Sequence, residues 1–160
     1  MIISLEGTVK LIEQNYLIID VSGVGYQVFC TVPYLKSLQT NSKLSIIVYH
    51  HIKEDHQTLY GFSTMDDRSF FETLISVSGI GPKVAINILS AVKVEELIHA
   101  IQKDNVVFIT QCPGIGKKTA ERMIIELKDK CPVIDSSPLV IDKPSSATTT
   151  MSGSDDIVMA

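Results

Sequence analysis

The chain has 160 residues, is 45% apolar and carries a formal net charge of −4, which is enough for one ordinary domain or two small ones, each burying roughly 60% of its unfolded surface. No apolar stretch approaches the ~20 residues of a membrane helix and no cationic start leads into one, so a soluble, unexported, cytoplasmic protein with no membrane partner is expected. Cys30, Cys112 and Cys131 are odd in number, widely spaced and outside any CxxC, which fits reduced thiols and offers no zinc site.

A negative total argues at first against nucleic acid, because phosphate binding draws on a surplus of Lys and Arg. The distribution weakens that objection. Residues 1–64 hold four basic and five acidic groups, 65–130 hold nine of each, and 131–160 hold one and four. Three of the four net negative charges therefore lie in the last segment, and any basic surface must be local.

The first 64 residues alternate with period two in five runs: Ile2 to Lys10, Tyr16 to Val21, Tyr26 to Val32, Leu44 to Ile52 and Thr58 to Phe62. Glu13-Gln14-Asn15 and Ser22-Gly23-Val24-Gly25 supply tight connections, and Pro33 to Leu38 allows one helical turn before the fourth run. Five short strands in so little chain point to a small barrel of the OB type, which closes on itself and leaves few open edges.

After Thr64 the period changes to about 3.6. Thr64-Met65-Asp66-Asp67 reads as an N-cap with acidic residues in the first helical turn, and Phe70, Phe71, Leu74 and Ile75 form the apolar stripe of that helix. Further helices are expected at Pro82–Ser90, Val94–Gln102 and Lys117–Lys130. The fold class is thus α+β, with a barrel domain over 1–64 and a helical domain over 65–130. From residue 131 to 153 the chain is rich in Ser, Thr and Pro, a composition that cannot supply a packed core and reads as a flexible linker. Residues 154–160 have the form of a helix cap and first turn.

The helical domain contains an internal repeat. Residues 79–85 read Gly-Ile-Gly-Pro-Lys-Val-Ala and residues 114–120 read Gly-Ile-Gly-Lys-Lys-Thr-Ala, a match at five of seven positions with an offset of 35. Each copy follows one helix and opens another. Glycine suits both places of each pair, Gly79 and Gly81, Gly114 and Gly116, because it accepts positive φ and lets a phosphate or another backbone come close. At the start of the second helix, outward backbone N–H groups and the helix dipole favour an anion. Pro82 takes the first helical position, where its missing N–H costs nothing. Lys83 in one copy, and Lys117, Lys118 and Arg122 in the other, place cations within one or two turns of that pocket. A single Gly-Ile-Gly could simply make a tight turn with its isoleucine packed inward. Two copies with lysine at the same place indicate paired helix-hairpin-helix contacts to the DNA backbone, and the two readings coexist. Neither copy is GxxxxGK[ST], so a Walker nucleotide site is excluded.

Lys53-Glu54-Asp55-His56 falls between the fourth and fifth runs and puts Glu54 and Asp55 at a hairpin tip. From spacing alone this is a solvated turn. Two carboxylates are a minimal metal set, but no further Asp, Glu or His stands at a helpful spacing, and alternation sends His50 and His51 to opposite faces. No metal and no cofactor are expected. A nuclease or glycosylase would need clustered carboxylates or a Lys/Asp pair beside a hairpin, and neither is present, so no catalytic residue is assigned.

Met1-Ile2-Ile3 with Leu5 and Gly7, then Gly23-Val24-Gly25-Tyr26, then Glu54-Asp55 leading to Leu59-Tyr60-Gly61-Phe62, then the two hairpins ending in Pro113 to Arg122, resemble the RuvA family over about residues 1–130. The resemblance implies a structure-selective, sequence-independent binder of four-way (Holliday) DNA junctions acting in recombination and repair. It further implies a homotetramer, or an octamer of two such rings, a RuvB-type hexameric AAA+ motor and a RuvC-type resolvase as partners. Glu54 and Asp55 match the family's acidic pin near the tetramer centre, where four copies would gather about eight negative charges that repel phosphates over a screening length of about 8 Å. The family's third part is a small helical domain that contacts the motor; residues 154–160 stand only at its expected start, so motor binding carries over to no residue present. The alternative from the residues alone is a generic helix-hairpin-helix duplex-binding module of another repair protein.

Overall fold

The computed structural model describes residues 1–131. Of the expected linker over 131–153 only Cys131 is described, and there the expectation is corrected, since Cys131 is buried in the helical core; the rest of the linker and the 154–160 segment lie outside the described residues. Strands β1 (Ser4–Ile12), β2 (Tyr16–Val21), β3 (Val24–Phe29), β4 (Lys43–Ile52) and β5 (Gln57–Phe62) close into a barrel in the order β1-β2-β3-β5-β4, with helix α1 (Val32–Lys36) inserted between β3 and β4. Every neighbouring pair is antiparallel except β3 with β5. The fold class expected from the sequence is the one observed. β3 begins two residues earlier than the alternation indicated and stops at Phe29, because α1 starts at Val32, with Thr31 as its N-cap and Pro33 in its first turn.

Alternation selects the barrel core. Leu17 and Ile19 of β2, Val28 of β3, Ile46 and Val48 of β4 and Leu59 of β5 are buried together with Leu5 and Leu35. Gly61 is required by closeness rather than by backbone torsion: a Cβ there would lie 2.5 Å from Ile46 Cδ1 and 2.6 Å from Val28 Cγ1. Cys30 is buried beside it, and burial pushes its thiol up to about 12, so it stays protonated at neutral pH. Cys112 and Cys131 are buried as well.

Five helices follow: α2 (Met65–Ile75), α3 (Pro82–Ala91), α4 (Val94–Gln102), α5 (Val106–Thr110) and α6 (Lys117–Leu127). Thr64 Oγ1 accepts the Asp67 N–H at 3.1 Å, the cap expected from its sequence, with Asp66 and Asp67 in the first turn. α5 escaped the periodicity because five residues cannot display a stripe; it is started by Asn105, whose Oδ1 accepts the Phe108 N–H at 3.1 Å.

The helices pack on the barrel through α2. The Phe71 ring is fully buried and lies 5.3 Å from Tyr49, 5.3 Å from Tyr60 and 4.9 Å from Phe62, all three on strands β4 and β5. One turn earlier, Arg68 donates from Nε to the Val48 carbonyl at 2.9 Å, stands 5.5 Å over the Tyr49 ring and pairs with Glu72. A second tie joins α1 to α3: the Val32 N–H donates to Ser90 Oγ at 3.1 Å. No helix among the described residues is long and apolar enough to cross a membrane.

Candidate nucleic-acid interface

The two Gly-Ile-Gly segments build the same object twice. After α2, the Val77 N–H donates to Leu74 O and the Ile80 N–H to Val77 O, both at 3.1 Å; after α5, Cys112 N–H to Ile109 O at 3.1 Å and Ile115 N–H to Cys112 O at 3.2 Å repeat the pattern 35 residues on. Val77 and Ile80 in one turn, Cys112 and Ile115 in the other, are buried and anchor each turn to the helical core. The tight-turn reading of the isoleucines is therefore correct and leaves the outer face of each turn available.

The glycines of each pair do different work. Gly79 has φ of +94° and Gly114 of +78°, the left-handed region where a Cβ is strained. Gly81 and Gly116, by contrast, are extended N-caps at φ/ψ of −90°/173° and −89°/174°. The expectation of positive φ at both places of each pair is thus corrected for the second glycine. What distinguishes Gly81 and Gly116 is space, since a Cβ on either would meet nothing within 4 Å. Neither N-cap carries a side-chain hydrogen bond. The first-turn N–H groups of Lys83 and Val84 in α3 and of Lys117, Lys118 and Thr119 in α6 therefore have no acceptor within their own helices or on the cap side chain.

The turns also hold each other. A Cβ on Gly79 would lie 3.7 Å from Thr119 Oγ1, and one on Gly114 would lie 3.4 Å from Val84 Cγ1. Val84 and Thr119 are themselves equivalent positions 35 apart, so each turn rests on the first helical turn of the opposite copy. Sequence reasoning passed over both residues because they differ between the copies; their shared place in the repeat was the signal available.

Lys83, Lys117 and Lys118 are exposed, and no salt bridge ties any of them to another described residue. Arg122 is partly committed: its Nη1 donates to the Ser78 carbonyl at 3.2 Å, reaching from α6 to the first turn. That leaves further donors of the guanidinium for a phosphate.

Glu54 and Asp55 lie in the four-residue connection between β4 and β5, closed by the Lys53 N–H on the His56 carbonyl at 2.9 Å. Both are exposed. His56 Nδ1 is 2.7 Å from Asp55 Oδ1, and this hydrogen bond holds the Asp55 carboxyl below the usual carboxylate range. Among the described residues no three His, Cys, Asp or Glu side chains stand where they could hold a metal ion.

Comparison with known proteins agrees with this division of the chain. The RuvA N terminal domain profile matches residues 1–61, and the SAM-like helix-hairpin-helix tandem profile matches residues 71–129. The Holliday junction branch migration complex subunit RuvA of Brevibacillus brevis is 45% identical over 130 residues, covering 81% of this chain and 63% of that relative. The subunit of the same name from Geobacter sulfurreducens is 45% identical over 149 residues, covering 91% of this chain and 74% of that one. The Anoxybacillus flavithermus subunit is 38% identical over 154 residues, or 95% and 78% of the two chains. The chain thus spans just under two thirds of the Brevibacillus relative and about three quarters of the other two. With identity at this level over both the barrel and the paired hairpins, the chain belongs to the RuvA family.

Proposed function

We propose that this chain binds four-way DNA junctions by their phosphate backbones, without regard to sequence, as the DNA-holding subunit of a branch-migration complex. The observation that carries the reading is the duplicated helix N-terminus: two first turns without a side-chain cap, each fronted by open space at Gly81 or Gly116, with exposed Lys83 in one and Lys117 and Lys118 in the other, none tied by a salt bridge to another described residue. Backbone N–H donors and the helix dipole suit phosphate oxygens, and such contacts position a duplex without reading its bases. Gly79, Gly81, Lys83, Gly114, Gly116, Lys117, Lys118 and Arg122 form the DNA-contacting set, and Glu54 and Asp55 form the repelling pin at the crossover.

In this reading the chain works as a homotetramer with an ATP-driven motor of the RuvB type, and it supplies no chemical step of its own. The names of its relatives, which place them in a branch migration complex, support the partnership. Two hairpins per subunit engage the arms, while pins meeting at the centre keep the strands apart. The test is a gel-shift comparison of a four-way junction with linear duplex of equal length at fixed salt. Strong preference for the junction is expected, whereas equal affinity would reduce the chain to a general duplex-binding module.

A further inference from the structure

The tip that carries the acidic pin also carries histidines, and their surroundings differ. His50 Nδ1 accepts the Ile2 N–H at 3.0 Å, a role open only to an unprotonated nitrogen, and its Nε2 reaches Gln57 Oε1 at 2.8 Å. His51 is stacked 6.2 Å from the Tyr49 ring, and its Nε2 is buried with no hydrogen-bond partner among the described residues. Burial, Lys53 and His56, in that order, hold the His51 pKa below the usual histidine range. His56 alone of the three is exposed and hydrogen-bonded to a carboxylate, that of Asp55 at 2.7 Å.

The charged and titratable groups that act on this tip are Lys53, Glu54 and Asp55 on the loop itself and His51 at the end of β4, which interacts electrostatically with Lys53 and His56. With the histidines neutral, the loop 53–56 has a formal charge of −1, and one proton on His56 brings it to zero. Histidine is the side chain whose charge changes between pH 5 and 8. A pin that works by repelling phosphate loses its net repulsion with that proton.

We propose that His56 is a specificity-determining residue of the pin: its protonation on the Asp55 carboxylate cancels the tip's charge and relaxes the preference for junctions over linear duplex. The inference rests on the pin reading given above and adds to it a dependence on pH that resides in one side chain. Repetition around a central axis would multiply the effect, because each added subunit brings its own His56 to the same crossover.

The experiment measures the affinity of the whole 160-residue chain for junction and for linear duplex at pH 7.5 and pH 5.8, at constant ionic strength. The parent is compared with His56→Gln, His56→Lys and the double variant Glu54→Gln/Asp55→Asn. For the parent the ratio of the two affinities is expected to fall about two- to fivefold on acidification, the range typical of an exposed charge pair. His56→Gln should hold the high ratio at both pH values, and His56→Lys should hold the low ratio at both. The double variant should also be low at both, with junction binding as strong as the parent's or stronger. A parent whose preference is high at pH 7.5 and unchanged at pH 5.8 overturns the inference and leaves the junction reading standing. The same holds if His56→Gln falls as the parent does, since another histidine then carries the effect. A parent with no preference at pH 7.5 overturns the junction reading itself.

Discussion

Arg122 and Ser78 join the two hairpins: the guanidinium on α6, in the second copy, donates to a backbone carbonyl in the turn of the first at 3.2 Å. The bond lies on the exposed face that also carries the lysines, so Arg122 both positions one turn and offers charge to a phosphate. The two roles separate by substitution. Arg122→Lys keeps the charge but loses the planar fork that reaches Ser78. It is expected to lower stability by about 0.5–1.5 kcal/mol, the net worth of one such bond, while leaving the salt dependence of DNA binding unchanged. Arg122→Ala should show the same loss of stability and also a shallower salt dependence. Urea unfolding and a salt titration of junction affinity check the pair. Identical salt slopes for the parent and Arg122→Ala would leave Arg122 a positioning residue only.

The two glycines of the second hairpin are expected to fail in different ways. Gly114 holds φ of +78°, so valine there is strained in the free protein, at a cost on the order of 1–3 kcal/mol. Gly116 has ordinary extended backbone and open space where a side chain would go. Gly116→Val should therefore still fold, losing about 1 kcal/mol because valine is a poorer N-cap than glycine, and should lose junction affinity, because its side chain fills the space where the anion is proposed to sit. Thermal unfolding beside a gel shift distinguishes the two. Full affinity in a folded Gly116→Val protein would remove the anion site from this hairpin.

The repeat and the barrel were legible in the sequence because each is written in local pattern: alternation for the strands, a threonine followed by acidic residues for the start of α2, and matching heptapeptides for the hairpins. α5 was not legible, since five residues carry no period and its cap, Asn105, follows Asp104 at φ of +53° in a turn the sequence does not advertise. The ties that join parts of the fold were hidden for a different reason. Arg68 to Val48, Val32 to Ser90 and Arg122 to Ser78 all end on a backbone group or begin from one, and a main-chain atom leaves no mark in side-chain pattern. Of the two reasons the sequence offered for Gly81 and Gly116, positive φ and room for a close approach, the backbone bears out only the open space; the torsion of an extended N-cap is not written in a Gly-Ile-Gly pattern.

Phe71 is the residue through which barrel and helices share a core, touching Tyr49, Tyr60 and Phe62 while fully buried. Phe71→Ala should cost about 3–5 kcal/mol, from lost burial and the cavity left between strands and helix. Phe71→Leu refills most of that volume and should cost less. Urea denaturation followed by circular dichroism measures both. A loss under about 1 kcal/mol for the alanine variant would mean that the barrel and helices do not depend on this contact.

Lys83 and Lys118 occupy the same place in the two hairpins, 35 residues apart, and neither is tied to another described residue by a salt bridge. If each neutralises one phosphate, binding releases one counterion per lysine, and the slope of log affinity against log salt should flatten by about 0.9 for either alanine substitution. The double variant should flatten by roughly twice that, because the lysines serve separate helix N-termini and do not share an anion. Affinity should fall alike on junctions of unrelated sequence, as phosphate contacts carry no base information. A salt titration on two junctions of different sequence tests both statements. Two slopes that flatten for Lys118→Ala but not for Lys83→Ala would confine phosphate binding to the second hairpin, and a loss confined to one DNA sequence would show that these side chains read bases.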